Sequence, residues 1–328
     1  MPPYGYPPAG PPPGWGAQQP GFYPLDLGRN FQLSWSLFRY SWRTLLGIGL
    51  VVLLPAYAFI AAASAVYSPV INGWVERVEL ATRAGLPPPP VPTGFYEAIA
   101  VLSVLSIVLL FVSLLASGAA TVSVDRTFRG APTSIGAALS RASGKYLSLL
   151  GAELLYFLVA FGIMLVGLVI GGVLMVGGGA AIFLGLIVIV AAFAALLFVA
   201  VRAAFIVQTI TLENAGAVEG FSRSWRLASG SGWRVFGYVL LIGLIATIVG
   251  AIVQALSTIL LRLDPNVPSS IVIGTFTQAV GAILLLPLTP LVLTLLYYDL
   301  RWRRGEPAPL PGDASRVESA AAPTVPGS

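Results

Sequence analysis

Few residues of this chain could carry chemistry, and their types exclude most forms of catalysis. The 328 residues include no histidine and no cysteine, and only 9% are charged. Histidine is the commonest general base, proton shuttle and metal ligand, and cysteine supplies thiolates and disulfides. The serines therefore lack a base, the glycine-rich stretch GVLMVGGGAA lacks the lysine of a phosphate-binding loop, and the acidic residues are not clustered for a metal. We expect no enzyme activity, no cofactor and no metal site.

Two charged residues lie inside long apolar runs and are the first candidates for function. Glu153 and Arg202 are almost equally far along the chain from Gly177, where their two runs are connected. In a helical hairpin they therefore lie at the same depth, and a charge in a membrane is costly unless it is paired or hydrated. The sequence predicts an ion pair that fixes the register of the hairpin. The alternative, a proton or ion relay, usually needs a chain of ionisable groups near the membrane midplane.

Basic and aromatic residues at the ends of the apolar runs are the second set of candidates. Within residues 213–234, apolar and charged side chains occupy opposite faces of a helix, which Asn214 is expected to cap and in which Glu219 is placed to pair with Arg223. Such a helix lies in the membrane interface, with its aromatic rings among acyl chains and its arginines toward phosphates. The apolar face consists of Val218, Phe221 and Trp225 in this segment, of Phe31, Trp35, Phe38 and Trp42 near the start, and of Ile135, Leu139, Ala142 and Tyr146 in a third segment. The lipid-headgroup candidates are Arg39, Arg43, Arg141, Lys145, Arg223, Trp225, Arg226, Trp233 and Arg234.

Composition shows which elements must position these residues. The chain is 57% hydrophobic and has a mean hydropathy of +0.87, far above that of soluble domains. A helix that crosses a membrane needs about 20 apolar residues, and the strand alternation of an outer-membrane barrel is missing. The sequence predicts an all-α, polytopic integral membrane bundle of six helices. The predicted spans are 45–67, 98–120, 148–174, 180–206, 235–260 and 272–297.

Basic residues gather before the odd-numbered spans and after the last one, which sets the orientation. By the positive-inside rule, both termini are predicted to be cytoplasmic. Residues 25–304 form the predicted membrane domain, between a Pro/Gly-rich arm, 1–24, and a tail, 305–328, that are both expected to be disordered. The arm is either a solvated tether or a segment that recruits an unknown protein partner in the polyproline II conformation.

The three basic segments have a similar arrangement, which suggests three parallel repeats. Each repeat would consist of an interfacial helix, an outward span and a returning span, related by an axis near the membrane normal. The alternative is that any chain with a cytoplasmic N-terminus shows basic residues before each odd span.

Glycines and prolines in the spans have two interpretations. Gly167 and Gly171 form a G-x-x-x-G pair that favours close helix packing, and Pro55, Pro287 and Pro290 are expected to bend the first and sixth spans. Bent helices also line the sites of some transporters, so these residues leave a transport function open.

Two blocks of the sequence, LENAGAVEGFSRSWRLASGSGWRVFGYVLL and PLTPLVLTLLYYDLRWRRG, resemble the bacterial glycerophosphoryl diester phosphodiesterase membrane-domain family. The resemblance covers about residues 25–305. Some members fuse this region to a catalytic barrel that depends on histidines and metal-binding carboxylates, and this chain has neither the length nor the histidine. The resemblance therefore implies a fold and a location in the bacterial cytoplasmic membrane, and it implies no reaction. It is strongest at Glu213, Asn214, Ser224, Trp225, Arg226, Arg234, Tyr298, Asp299 and Arg301.

These observations lead to two functional hypotheses. The first is a noncatalytic scaffold or lipid-associated accessory protein at the inner leaflet, whose partners are anionic lipids and not nucleic acid. The second is a small transporter or lipid carrier with a cavity among the spans. A polar cavity that reaches the midplane would favour transport, whereas a closed bundle with amphipathic helices along one rim would favour the first hypothesis.

Overall fold

The computed structural model describes residues 25–131, 133–263 and 267–309, without the side chains of 260–272. All regular secondary structure within these ranges is α-helical. The predicted arm 1–24 and most of the predicted tail lie outside the described residues. The helices are α1 (Leu27–Arg83), α2 (Thr93–Phe128), α3 (Ile135–Ser143), α4 (Tyr146–Val176), α5 (Ala180–Ala203), α6 (Ile206–Glu213), α7 (Ala217–Ala228), α8 (Gly232–Leu263), α9 (Val267–Leu285) and α10 (Leu288–Arg303).

Six stretches of helix are long and apolar enough to cross a membrane, which confirms the predicted number of spans. The chain is therefore a multi-pass membrane protein. Each predicted span lies within one stretch, to within one residue at the end of the fifth span and at the start of the sixth. The fourth and sixth stretches each include two consecutive helices. The stretches are Leu27–Arg83, Thr93–Phe128, Tyr146–Val176, Ala180–Glu213, Gly232–Ile259 and Ile273–Arg303.

The first span belongs to a much longer helix than the sequence predicted. α1 runs without a break from Leu27 to Arg83, so the predicted interfacial helix and the first span are one element. No glycine pair or proline separates the two segments, and the predicted bend at Pro55 does not interrupt the helix. The connection from α1 to α2 is short and consists of residues 84–92. At about 1.5 Å per residue, α1 is roughly 86 Å long, well beyond the hydrocarbon thickness.

The sixth span is interrupted where the sequence predicted a bend. α9 ends at Leu285 and α10 begins at Leu288, with Pro287 between them. Proline has no amide hydrogen and its ring clashes with the preceding turn, so the helical hydrogen bonding stops here. Pro290 is accommodated because it lies in the first turn of α10, where an amide hydrogen would lack a helical partner.

Contacts within the chain divide it into two compact units. Unit 1 comprises the described parts of Met1–Thr44, Gly118–Ile242 and Leu288–Ser328, and unit 2 comprises Leu45–Ser117 and Gly243–Pro287. Within unit 2, α1 and α2 meet through the rings of Trp74 and Phe95, whose centroids are 4.6 Å apart.

Helix α10 forms the core of unit 1. Every residue from Pro290 to Leu300 is buried, which is the pattern of a helix surrounded by other elements on all sides. The apolar windows of the other spans are mostly exposed on the surface of the chain, and the window of α8 is not buried at all. Such surfaces are suited to contact with acyl chains.

The α4–α5 hairpin is held by glycines, as the G-x-x-x-G pair predicted. A Cβ atom on Gly167 would lie 2.3 Å from Ala192 Cβ, and one on Gly171 would lie 2.6 Å from Ile189 Cγ1. The connection turns at Gly178 and Gly179, whose φ angles of +67° and +53° favour glycine. The absence of side chains thus permits both the turn and the close approach of the two helices.

Candidate functional site

A short buried helix that the sequence did not predict connects the fourth span to the basic segment. α5 ends at Ala203 and α6 begins at Ile206, so Ala204 and Phe205 lie between the two helices. Asn214 ends α6 in the left-handed conformation, with φ 59° and ψ 24°, so the expectation that it caps the start of the next helix is wrong. Asparagine tolerates this conformation because its short polar side chain bonds locally. Gly216 occupies the N-terminal cap of α7 instead.

The small residues of α7 pack it against the rest of unit 1. A Cβ atom on Gly220 would lie 2.5 Å from Ile210 Cγ1, so α6 and α7 are in close contact. Ser224 is fully buried; its hydroxyl accepts the amide hydrogen of Phe205 at 3.1 Å and donates to the carbonyl of Arg202 at 2.8 Å. These bonds satisfy backbone groups left free by the break between α5 and α6. The packed face is therefore the small-residue face. On the predicted apolar face, Val218 is 72% exposed, and Phe221 and Trp225 are half-buried.

A cluster of arginines, carboxylates and one tyrosine joins α6, α7 and α10. We call it the Glu213 cluster; its members are Glu213, Arg223, Tyr297, Arg301 and Glu306. Arg223 Nε lies 3.0 Å from a Glu213 oxygen, and the same guanidinium binds Glu306. Arg301 Nη1 lies 3.5 Å from Glu213, to which the Tyr297 hydroxyl also donates.

The electrostatics of the Glu213 cluster follow from this arrangement. The hydrogen bond to Glu306 raises the pKa of Arg223, and the same bond lowers the pKa of the Glu306 carboxyl. The predicted pairing of Glu219 with Arg223 is wrong, because Arg223 is directed to these two carboxylates. Glu219 instead accepts the amide hydrogen of Gly216 at 3.4 Å, at the start of α7.

A second carboxylate, Asp299, joins the first and last described segments of the chain. It is fully buried, and its Oδ2 atom lies 3.0 Å from Arg234 Nη2 and 2.8 Å from Arg303 Nε. Its Oδ1 atom accepts the amide hydrogen of Leu25 at 2.8 Å, and Arg234 donates to the carbonyl of Leu25. Asp299 therefore pairs with Arg234 of α8 and, within α10, with Arg303.

A third carboxylate, Asp125, joins α2 to α10. It accepts the hydroxyl hydrogen of Tyr298 and lies 2.7 Å from Arg129 Nε. The ring of Tyr298 stacks on Phe128 with a centroid distance of 5.3 Å. Partial burial lowers the pKa of Arg129, but the hydrogen bond and charge of Asp125 outweigh this effect, so its pKa is raised.

These contacts show what the carboxylates can do. Glu213, Asp125 and Asp299 each accept hydrogen bonds from an arginine or tyrosine of another segment, so they act as joints between helices rather than as free bases. No group of three acidic residues that could hold a metal occurs among the described residues. Periodicity alone did not predict these joints. Five residues of the two sequence blocks quoted for the resemblance take part in these joints: Glu213, Arg234, Tyr298, Asp299 and Arg301.

The predicted lipid-headgroup residues fall into two groups. In the first group, Arg223 and Arg234 are bound to carboxylates, and Lys145 donates to the Asn214 carbonyl at 3.3 Å. These three side chains therefore form contacts within unit 1. Trp225 is half-buried and stacks on Phe221. The residues that remain exposed are Arg39, Arg43, Arg141, Arg226 and Trp233.

The predicted ion pair between Glu153 and Arg202 is not present among the salt bridges of the described residues. Arg202 Nη1 donates to the Trp225 carbonyl at 3.4 Å, and its guanidinium lies over the rings of Phe198 and Trp225, at 5.0 and 5.7 Å from their centroids. The prediction considered only depth in the hairpin. It missed that α7 packs against the end of α5 and provides a carbonyl and a ring for the guanidinium.

Arg202 borders a groove of about 510 Å³ between the end of α5 and the start of α8. We call it the Arg202 groove. Among the described residues that line it, Arg202 is the only charged one, and Trp233, at 88% exposure, lies at its edge. The lining residues are Ala194, Leu197, Phe198, Val201, Arg202, Gly230, Gly232, Trp233 and Phe236.

Comparisons with known proteins place the chain in a family without giving it an activity. No curated protein and no solved structure matches it. Residues 75–300, more than two-thirds of the chain, match the family described as "Domain of unknown function (DUF7847)". Nothing in this match links the chain to the glycerophosphoryl diester phosphodiesterase membrane domain, so that resemblance stays a prediction. The matched region contains α2 to α9 and most of α10, and the chain belongs to the DUF7847 family.

Proposed function

We propose that this protein is a noncatalytic membrane protein that associates with anionic lipid headgroups at the inner leaflet. One observation carries the proposal. Arginine and tryptophan side chains are exposed on helical segments whose opposite faces are packed against the rest of unit 1. Arginines at this level attract phosphates, and tryptophan rings favour the boundary between headgroups and acyl chains.

The start of α1 shows this division between two faces. Ser34, Leu37 and Ser41 are buried. On the other face Trp35 and Trp42 are 60% and 44% exposed, beside the exposed Arg39 and Arg43. The Arg43 guanidinium lies 5.4 Å from the centroid of the Trp42 ring, so the two side chains can meet one headgroup together. The helix is thus held from one side while its other side is free for lipid.

Unit 1 bears further exposed arginines outside α1. Two of them are Arg141, in α3, and Arg226, near the end of α7. The contacts of Asp299 and Asp125 bring together the start of α1, the end of α2, the start of α8 and the end of α10. This supports a basic side in one plane, and by the positive-inside rule we assign it to the cytoplasm. The bacterial cytoplasmic membrane as location rests on the resemblance to the phosphodiesterase membrane-domain family.

The transporter hypothesis has less support. A cavity of about 260 Å³ in unit 2 is lined mainly by aliphatic side chains, with Tyr57, Ser106 and Ser113 as its polar residues. Both serine hydroxyls donate to carbonyls of their own helix, so their hydrogens are not available to a solute. A site for a polar solute would need free polar groups that converge on it.

The proposal is tested with two matched variants of the full chain in nanodiscs of phosphatidylcholine that contain some phosphatidylglycerol. Arg39→Gln with Arg43→Gln removes two exposed charges of the proposed headgroup surface. Arg77→Gln with Arg83→Gln removes two exposed charges from the other end of α1. We expect the first variant to lose retained phosphatidylglycerol, measured by lipid mass spectrometry, and the second to retain as much as the unmodified protein. Equal retention by both variants would contradict the proposal.

A further inference from the structure

We propose that the Arg202 groove is a specific binding site for one anionic glycerophospholipid, with the phosphate at Arg202 and an acyl chain along the apolar wall. This inference rests on the proposed lipid-associated function and names a site for it. None of the residues predicted or exposed at the headgroup surface, apart from Trp233, lines this groove.

The charge and hydrogen-bonding state of Arg202 support a phosphate ligand. No salt bridge of the described residues includes Arg202, in contrast to Arg223 and Arg234. The Nε atom of Arg202 is buried and has no hydrogen-bond partner among these residues. The one hydrogen bond that its guanidinium makes to them, from Nη1 to the Trp225 carbonyl, is long, at 3.4 Å. A guanidinium presents several donors in a planar fork that matches phosphate oxygens, so this side chain retains capacity for an anion.

The shape of the groove supports an acyl chain as the other part of the ligand. Leu197, Phe198, Val201 and Phe236 form an apolar wall that continues away from the charge. Gly230 and Gly232 have no side chains, and a Cβ atom on either would meet nothing within 4 Å, so they leave the floor open. The volume of about 510 Å³ lies within the ~300–1,000 Å³ typical of ligand sites.

The surroundings place the groove where a lipid can enter. Leu197 and Phe198 are exposed on the side of α5, and Trp233 stands nearly free at the edge. The guanidinium is one residue from the end of α5. With the proposed cytoplasmic basic side, this end of the helix is the one that meets the headgroups. A site with a cation at the interface and apolar walls below it fits a molecule that is anionic at one end and apolar at the other. A free phosphate or a soluble phosphate ester would use only the Arg202 end.

The test uses two substitutions at adjacent positions of α5. Ala194 lines the groove and Ala195 does not, and both are exposed, so a tryptophan at either position leaves the packed face of the helix intact. Full-length protein in detergent is titrated with dioleoyl phosphatidylglycerol, and bound lipid is counted by native mass spectrometry. We expect one tightly bound lipid in the unmodified protein and in Ala195→Trp, and at least tenfold weaker binding of that lipid in Ala194→Trp and in Arg202→Gln.

The remaining arms identify the ligand class and separate this inference from the proposed function. Dioleoyl phosphatidylcholine should bind at least tenfold more weakly than phosphatidylglycerol, and glycerol 3-phosphate should not displace the bound lipid. Equal lipid binding by Ala194→Trp and Ala195→Trp would contradict a lipid site in the groove. Displacement of the bound lipid by glycerol 3-phosphate would contradict it as well. If the variant with Arg39→Gln and Arg43→Gln loses phosphatidylglycerol and Ala194→Trp does not, the lipid site in the groove is excluded and the proposed function is supported. If phosphatidylglycerol is lost in Ala194→Trp and in Arg202→Gln, but not in the variant with Arg39→Gln and Arg43→Gln, the result supports the groove and contradicts the headgroup surface.

Discussion

At the scale of residues, Asp299 is a fully buried carboxylate whose partners come from separate parts of the chain. It pairs with Arg234 at 3.0 Å and with Arg303 at 2.8 Å, and it accepts the Leu25 amide hydrogen. The pair with Arg234 and the bond from Leu25 link α10 to segments far away in sequence. A buried carboxylate of this kind contributes to stability mainly because its removal leaves its cationic partners without a counter-ion.

We therefore expect Asp299→Asn to destabilise the protein by about 3 kcal/mol, because two partly buried arginines lose their counter-ion. The change is measured by thermal unfolding in detergent, followed by tryptophan fluorescence. The control is Glu79→Gln, which breaks the exposed pair of Glu79 and Arg83, 2.5 Å apart, and should cost less than about 0.5 kcal/mol. Similar melting temperatures for the two variants would show that Asp299 is not a joint.

Glu306 gives the Glu213 cluster a dependence on pH. Its pKa is lowered from 4.5 by the hydrogen bond to Arg223. A carboxyl with a lowered folded-state pKa adds stability that is complete above its unfolded-state value and is lost as the pH falls through the folded-state value. We expect Glu306→Gln to reduce the free energy of unfolding at pH 7 by about 1 kcal/mol or less, and so to lower the melting temperature. The difference should shrink as the pH falls below about 4.5. A difference that is constant between pH 7 and pH 3 would contradict this assignment.

At the scale of elements, the α4–α5 hairpin depends on glycines that let two backbones approach. Gly171 and Gly172 are neighbours in α4, yet only the first faces α5. A Cβ atom on Gly171 would lie 2.8 Å from the Gly185 carbonyl oxygen, whereas one on Gly172 would meet nothing within 4 Å. The two positions therefore separate interhelical packing from helix propensity.

We expect Gly171→Ala to destabilise the protein by about 1–3 kcal/mol, because the added methyl group is overpacked against a backbone atom that cannot move alone. Gly172→Ala is the control, and alanine favours helix more than glycine does, so it should be neutral or slightly stabilising. Thermal unfolding of both variants in the same detergent checks this. Equal effects would mean that the hairpin is not closely packed at this point.

At the scale of the whole molecule, the alternation of six spans predicts which connections lie on the same side of the membrane. The chain has no cysteine, so single cysteines can be introduced without background labelling. Ala84 lies in the α1–α2 connection and Ala131 in the α2–α3 connection, and both are exposed. We expect a membrane-impermeant maleimide to label Ala84→Cys in intact cells and to label Ala131→Cys only after the membrane is opened. The reverse pattern would place the basic side outside the cell.

The number of the spans could be predicted from the sequence because apolar length is a local property. The break at Pro287 and the contact of Gly171 with α5 were also predictable, since a proline and a G-x-x-x-G pair have local physical causes. The roles of Asp125 and Glu213 as joints to α10 were not, because their tyrosine partners, Tyr298 and Tyr297, are more than eighty residues away. Periodicity gives the face of a helix, but it does not tell whether lipid or a buried carboxylate meets an arginine on that face.

Arg202 shows the same limit most clearly. Its depth relative to Glu153 follows from counting residues from the turn, but its direction is set by α7, which closes over the end of α5 through Ser224 and Trp225. The buried helix α6, which allows this arrangement, resembles the end of the fourth span in composition. Only the tertiary structure shows that the chain turns there.

The lipids that co-purify with the full-length protein in native nanodiscs test the central claim most directly. They are identified by mass spectrometry against nanodiscs formed from the same membranes without the protein. We predict selective enrichment of an anionic glycerophospholipid, because exposed arginines with tryptophans and the Arg202 groove both select a phosphate next to acyl chains. A lipid composition equal to that of the control nanodiscs would contradict the account.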